Sequence, residues 1–507
     1  MASNVPLAVR VLYHGEVEIA YWEYLFCFLY LFMLYFFFAR TKNMKVKNEP
    51  EYAYFLWGLF AKILGGVFFS LIYFYYYQGG DTISYFYSAL SMSKLAKIDP
   101  VGFFTVLFGE NNFENRRFFS METGFPWSYV YYDDRTFLLI RLITPLVILS
   151  LDSYLITTVL LASVSYVGIW KAYRTFVSYF PELRSQLAIA FLFMPSCIFW
   201  GSAILKDTLT FSATCLWIHA VDELFFKRRG IFMGYVLLVI SGVLILAIKP
   251  YIFLVLFPTT MAWLLYFRVV RMRNIMIKFV FLPVVVLLLF LASVFVLQSL
   301  ESSLGKFSLE ESLSTIQLTQ EDMKRSEQYG QNFFDIGYVD YTWSGILFKS
   351  PVVIMAGLFR PFLWESRNVV MVLGGLENFW LLSMTVFTIL SAGPIFFIRA
   401  ISSMPLLLMS FLFVVLFAFL IGITTPNFGA LVRFKIPLIP LFVSTLFIVR
   451  HITQLARESR RKSVPFDLGS LRNGTAGMSD AIPKASRTRS FSRNDTSRRS
   501  KFGHRVS

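Results

Sequence analysis

Cysteine is nearly absent from this 507-residue chain: Cys27, Cys197 and Cys215 are the only three, and each lies inside an apolar run. That usage excludes a disulfide framework and a cysteine-based zinc site, and the three read as small core residues. Other signals are missing too. No Walker A loop or dinucleotide-binding glycine fingerprint occurs in the context it needs. No internal repeat and no matched pair of broken helices is found, which counts against a secondary transporter. The first apolar run is long and leads into basic residues rather than a small-residue cleavage site, so no cleavable signal peptide is expected. Charge is sparse: 15% of residues are charged, against 56% hydrophobic and 18% aromatic, with a mean hydropathy of +0.61.

What is present is a series of apolar runs of 17 to 26 residues, too many for a soluble domain. The expected fold is all-α, a polytopic membrane protein with about eleven transmembrane helices at 20–39, 52–77, 153–170, 185–202, 205–222, 231–248, 251–267, 279–298, 377–398, 404–422 and 434–450. Lysine and arginine gather in alternate short connections, among them Arg40, Lys42, Lys45, Lys171, Arg174, Lys227, Arg228, Arg271 and Arg399. The opposite side holds the long connections 78–152 and 299–376, and stretch 299–341 has eight acids against three bases. Cytoplasmic loops carry the lysine and arginine excess, so the N-terminus is expected outside and the C-terminus in the cytoplasm. Stretch 136–150, with Arg141 and Pro145, covers only about 22 Å as a helix and is expected in the outer interface. Stretch 350–368 is amphipathic and too interrupted to span.

Residues 1–450 therefore form the membrane domain, and 451–507 a basic disordered cytoplasmic tail with 13 lysines and arginines against 4 acids. Such a tail suits anionic membrane lipids. It lacks interleaved aromatics and any nucleic-acid motif, so no nucleic-acid partner is expected.

Polar residues collect in the outer connections. Asp81 follows Gly79-Gly80; Asp133, Asp134 and Arg141 lie late in the first long loop; Lys206, Asp207 and Lys249 sit at outer turns. Arg360, Glu365, Arg367 and Glu377 follow, then Asn427, Arg433 and Lys435. Each has an ordinary explanation: Asp81 as a helix cap, Lys206–Asp207 and Arg360–Glu365 as structural ion pairs, Lys249 snorkelling to headgroups. Together they read as a cavity with a few carboxylates and a surplus of cations, which suits an anionic ligand such as phosphate. Tyr85, Tyr87, Trp127, Tyr129, Tyr131, Tyr132, Trp200, Trp343 and Trp364 stand nearby in sequence and could stack on sugar rings.

An aspartate at the outer end of an early span, followed by a long loop with interfacial helices, resembles the GT-C superfamily of membrane glycosyltransferases. "NFGALVRFKIPLIP" resembles the arginine-bearing loop of Wzy- and EpsG-type surface-polysaccharide polymerases. "PSCIFWGSAILKD" and "FRPFLWESRN" resemble segments of glycosyltransferase-like bacterial membrane proteins. The likeness covers roughly 52–450 and implies a polyprenyl-phosphate-linked glycan donor, with other polysaccharide-assembly proteins as partners. Asp81 is then the expected general base, with Asp133 or Asp134 second. Arg360, Arg433 and Lys435 are expected on the donor phosphate, with Lys206 and Lys249 behind them. Asp207, Glu365, Arg367, Asn427 and Arg141 are expected to support the site. Two departures stand out: one extra span precedes the aspartate loop, and the acidic doublet is Asp133-Asp134 rather than at Asp81. They leave the base open between those carboxylates and the use of a divalent metal undetermined; no metal ligands are assigned. Two alternatives stand beside this reading: a transporter or flippase of lipid-linked glycans, which shares the cationic cavity without needing a carboxylate base, and a non-catalytic membrane subunit of an envelope complex, with the tail as its docking site.

Overall fold

A computed structural model describes residues 10–13, 17–271, 284, 288, 291, 334 and 343–462. Most of the expected span 279–298, most of the acidic stretch 299–341 and the tail beyond 462 lie outside the described residues. The chain is not purely α: strands β1 (Arg10–Tyr13) and β2 (Val17–Ala20) form a short antiparallel hairpin before the first helix. The rest of the described chain is mostly helical. Among the described residues, seven helices are long and apolar enough to cross a membrane. They overlap the expected spans 20–39, 52–77, 153–170, 231–248, 377–398, 404–422 and 434–450.

Helix α1 (Tyr21–Lys45) exposes Leu25, Phe28, Phe32, Phe36 and Phe37. Such a surface has lipid as its natural solvent. Helix α2 (Phe55–Tyr75) turns inward a face of Gly58, Lys62, Gly65 and Gly66, at helical spacing. The chain then continues through α3 (Asp81–Ile98), α4 (Pro100–Phe108), α5 (Asp134–Leu149) and the long α6 (Tyr154–Tyr179). Helix α5 lies along α3, joining the first long loop into one layer.

The expected span 185–202 is not one helix. It is built from Arg184–Ala188, a π-helical turn Ile189–Phe193 and α7 (Pro195–Trp200), then non-helical backbone to Leu205, before α8 (Lys206–Val221). Pro195 lacks an N–H and breaks the ladder at Met194. The glycine face of α2 receives this segment closely: a Cβ at Gly66 would stand 2.7 Å from the Ser202 carbonyl oxygen. Gly66 is nine residues before Tyr75, so the turn 201–205 is sunk about 14 Å below that end of α2. Buried irregular backbone survives at such depth only where protein groups satisfy it. Lys62 supplies one such group, donating to the Gly201 carbonyl.

Helices α9 (Ile231–Ile248) and α10 (Pro250–Arg271) meet at Lys249. Helix α11 (Trp343–Phe359) precedes α12 (Val369–Ala392); α13 (Pro405–Thr424), the short α14 (Phe428–Phe434) and α15 (Ile439–Arg461) complete the described chain.

The expectation of an interrupted amphipathic stretch over 350–368 needs correction in its first half. Residues 343–359 are a continuous helix packed antiparallel against α13. Gly357 lies against Ala418, and Gly422 against Val353. After Phe359 the chain reverses, and Asn378 of α12 donates to the Pro361 carbonyl at 2.9 Å. Asn378 lies nine residues into α12, so α11 enters the bundle and the chain returns over about 14 Å.

A Cβ at Gly357 would stand 2.0 Å from the Ala418 carbonyl oxygen, on backbone that cannot swing away. Gly357→Ala should therefore destabilise the protein by about 1–3 kcal/mol as the helices separate. Gly374→Ala meets nothing nearer than 3.6 Å and should leave stability unchanged or raised. Thermal unfolding of the two variants in one detergent checks the contrast.

Candidate functional site

The second glycine before Asp81 sets its position. Gly80 has φ of 101°, a left-handed conformation that favours glycine, and a Cβ there would meet the Tyr73 ring at 2.9 Å. The chain thus folds back on the last turns of α2. Gly80, not Asp81, is the N-cap of α3, and no side chain caps that end. Capping does not explain the aspartate.

The Asp81 carboxylate instead accepts from Arg433 Nη1 at 2.7 Å, across 352 residues of sequence. Arg433 lies in α14, and its Nε donates to Asp207 Oδ2 at 2.5 Å. The other Asp207 oxygen is taken by Lys249 Nζ. Asp207 is 2% exposed, whereas the Asp81 side chain is 42% exposed and that of Arg433 17%. The network therefore runs from a buried anchor to an open carboxylate. Its walls are aromatic: Lys249 lies 4.3 Å over the Phe434 ring, and Tyr251 sits between Phe417 and Phe434. Tyr73 and the buried Tyr85 lie close enough to feel the charges of Asp81 and Arg433.

A second pair adjoins it in sequence. Lys206, next to Asp207, donates to Asp133 Oδ2 at 3.2 Å. Asp133 is the N-cap of α5, accepting from the Arg135 N–H at 3.2 Å and from the Thr136 hydroxyl. Burial works to raise its carboxyl, but the Thr136 hydroxyl and the Lys206 ammonium prevail and hold it below the usual carboxylate range. Asp133 thus works as a cap and counter-ion. Asp134 accepts from Asn111 Nδ2 at 2.7 Å, and Asn111 in turn accepts from Arg141 at 2.8 Å. Arg141 also donates to the Val106 and Gly109 carbonyls, so it fastens the end of α4 to α5.

Several expected site residues belong elsewhere. Lys435 is wholly buried, and its ammonium donates to Asn378 Oδ1 and to the Arg360 and Leu358 carbonyls at 3.0 and 3.4 Å. An ammonium has three donors, so none remains for phosphate. Its role is to hold the reversal after α11. Arg360 pairs with Glu365 at 3.5 Å and lies 5.0 Å over the Phe334 ring. Glu365 also accepts from the Phe362 N–H at 2.8 Å, fixing the same reversal, and Arg367 is exposed beyond it. Asn427 is the N-cap of α14, accepting from Ala430 at 3.1 Å. Glu377 binds the Ser196 N–H and hydroxyl at 2.7 and 2.5 Å, holding α7 to α12.

The expected cation surplus is not met within the network. Asp81, Asp133 and Asp207 face Lys206, Lys249 and Arg433, three charges of each sign. Sequence reasoning also missed Lys62, which donates to Gly201 and Ser202 and so supports the turn leading to Asp207. Its signal was present: one lysine in an otherwise uncharged 21-residue helix, where an ionisable residue needs a reason. A divalent cation does not fit these carboxylates. Asp81 and Asp207 converge on one guanidinium, and among the described residues no group of three histidine, cysteine or acidic side chains gathers to hold a metal. Comparisons with family models, curated proteins and solved structures find no match to this chain, so its own geometry has to carry the functional reading.

Proposed function

We propose that this chain is a membrane glycosyltransferase or polymerase, acting on the outer face of the bacterial cytoplasmic membrane in surface-glycan synthesis. Its donor is a polyprenyl-phosphate-linked sugar whose lipid tail enters between the spans. The proposed topology has eleven spans, the N-terminus outside, and the two long connections beside the donor.

The observation that carries this reading is the chain Asp81–Arg433–Asp207–Lys249, in which four residues from four separate connections meet. In the proposed reaction the bond between the sugar's anomeric carbon and the carrier phosphate breaks. The electron pair leaves with the phosphate, where Arg433 stabilises the growing negative charge. The acceptor oxygen forms the new bond, and its proton passes to the Asp81 carboxylate. Asp207, buried and shared with Lys249, fixes the plane of the guanidinium from behind.

The test uses the full chain in lipid nanodiscs with a polyprenyl-phosphate-linked sugar and a sugar acceptor. Release of polyprenyl phosphate in step with new glycoside is expected. Passage of the intact donor across proteoliposomes, with no glycosidic cleavage, would overturn the proposal and favour transport.

A further inference from the structure

Arginine has five N–H donors in a fixed fork. In Arg433 the Nε–H is spent on Asp207 and one Nη1–H on Asp81. Nη2 makes no hydrogen bond among the described residues. It is not among the fully enclosed polar atoms that lack a hydrogen bond, so Nη2 keeps some exposure. The fork is half used: one terminal nitrogen holds an exposed carboxylate while the other stands free beside it.

We propose that Asp81 is a displaceable resting partner of Arg433, and that a phosphate monoester or diester competes with it for the guanidinium. A phosphate that takes Nη1 and Nη2 together gains a bidentate contact, whereas Asp81 holds Nη1 alone. Both anions on one fork repel each other, so one of them leaves. Asp207 stays, being buried and held by Lys249 as well. Asp81 leaves, being partly exposed, singly bonded and hinged on Gly79-Gly80. Resting on the function proposed above, this exchange makes the carboxylate available for a proton only when a phosphate is in place.

The experiment measures binding by calorimetry, with the full chain in zwitterionic nanodiscs and two probes, inorganic phosphate and farnesyl phosphate. Asp81→Asn keeps the side-chain shape and removes the competing charge. It should tighten phosphate binding by about threefold to tenfold, the range of a partly exposed ion pair. Glu122→Gln changes net charge equally on the exposed part of the first loop and should leave affinity as in the wild type. Tightening with either probe supports the competition, and the probe bound more tightly identifies a lipid headgroup or free phosphate as its source. If the wild type binds phosphate and Asp81→Asn binds it no better, the competition is overturned while the phosphate site stands. If neither probe binds any of the three proteins, both the competition and the phosphate reading fall.

Discussion

Replacing Asp207 by asparagine should cost the folded protein about 3–5 kcal/mol, the penalty for breaking a buried ion pair from one side. Asp207 is enclosed, with Lys249 on one carboxylate oxygen and Arg433 on the other. Its loss leaves a buried ammonium with no counter-charge and frees the guanidinium from its anchor. Asparagine retains one acceptor oxygen, so the damage is mainly electrostatic rather than steric. A second change separates the causes. Lys249→Met on the Asp207→Asn background removes the stranded ammonium and should recover part of the loss, because a well-packed apolar side chain replaces a buried ion at little cost. Thermal unfolding in one detergent, with the wild type and both variants, measures it. A loss under about 1 kcal/mol for the single variant would mean that water reaches Asp207 and that its pairs are worth no more than surface bridges.

The apolar frame was legible in the sequence because lipid sets the length and composition of a span, and seven helices overlap the expected runs. Runs 185–202 and 205–222 were harder. Pro195 and the glycine face of α2 let the backbone break and sink between them, and 205–222 carries Lys206, Asp207 and Asp222 within its length. Hydropathy reports what a segment dissolves in, not whether its helix is continuous.

The site was legible in part for a similar reason. Charged residues at Asp81, Lys206, Asp207, Lys249 and Arg433 stood out because membrane depth tolerates few charges without partners. Which of them would meet was not readable, since the decisive contacts span 226 and 352 residues. Lys435 and Arg360 look like phosphate ligands from residue type alone. Their partners, two backbone carbonyls and an amide for one and a glutamate for the other, appear only once α11 reverses beside α12. Asp133, expected as a second-choice base, and Asn427, expected to support the site, both cap helices, a local role their residue types favour. Asp81 was weighed as a cap and is not one.

Asp81 is therefore the residue on which the proposed chemistry turns. As the general base, its carboxylate must take the acceptor's proton, and a positioned base of this kind contributes about 10²-fold to 10⁴-fold. Asp81→Asn leaves an oxygen for Arg433 and the same volume on the glycine turn, so folding should be undisturbed. Proton affinity is what disappears. The measurement is the turnover rate of glycosyl transfer at saturating donor, for Asp81→Asn beside Asp81→Ala, each checked for wild-type thermal stability. The account predicts that both fall by about 10²-fold or more, while the asparagine variant binds the phosphate of the donor at least as well as the wild type. Wild-type turnover in Asp81→Asn would contradict it.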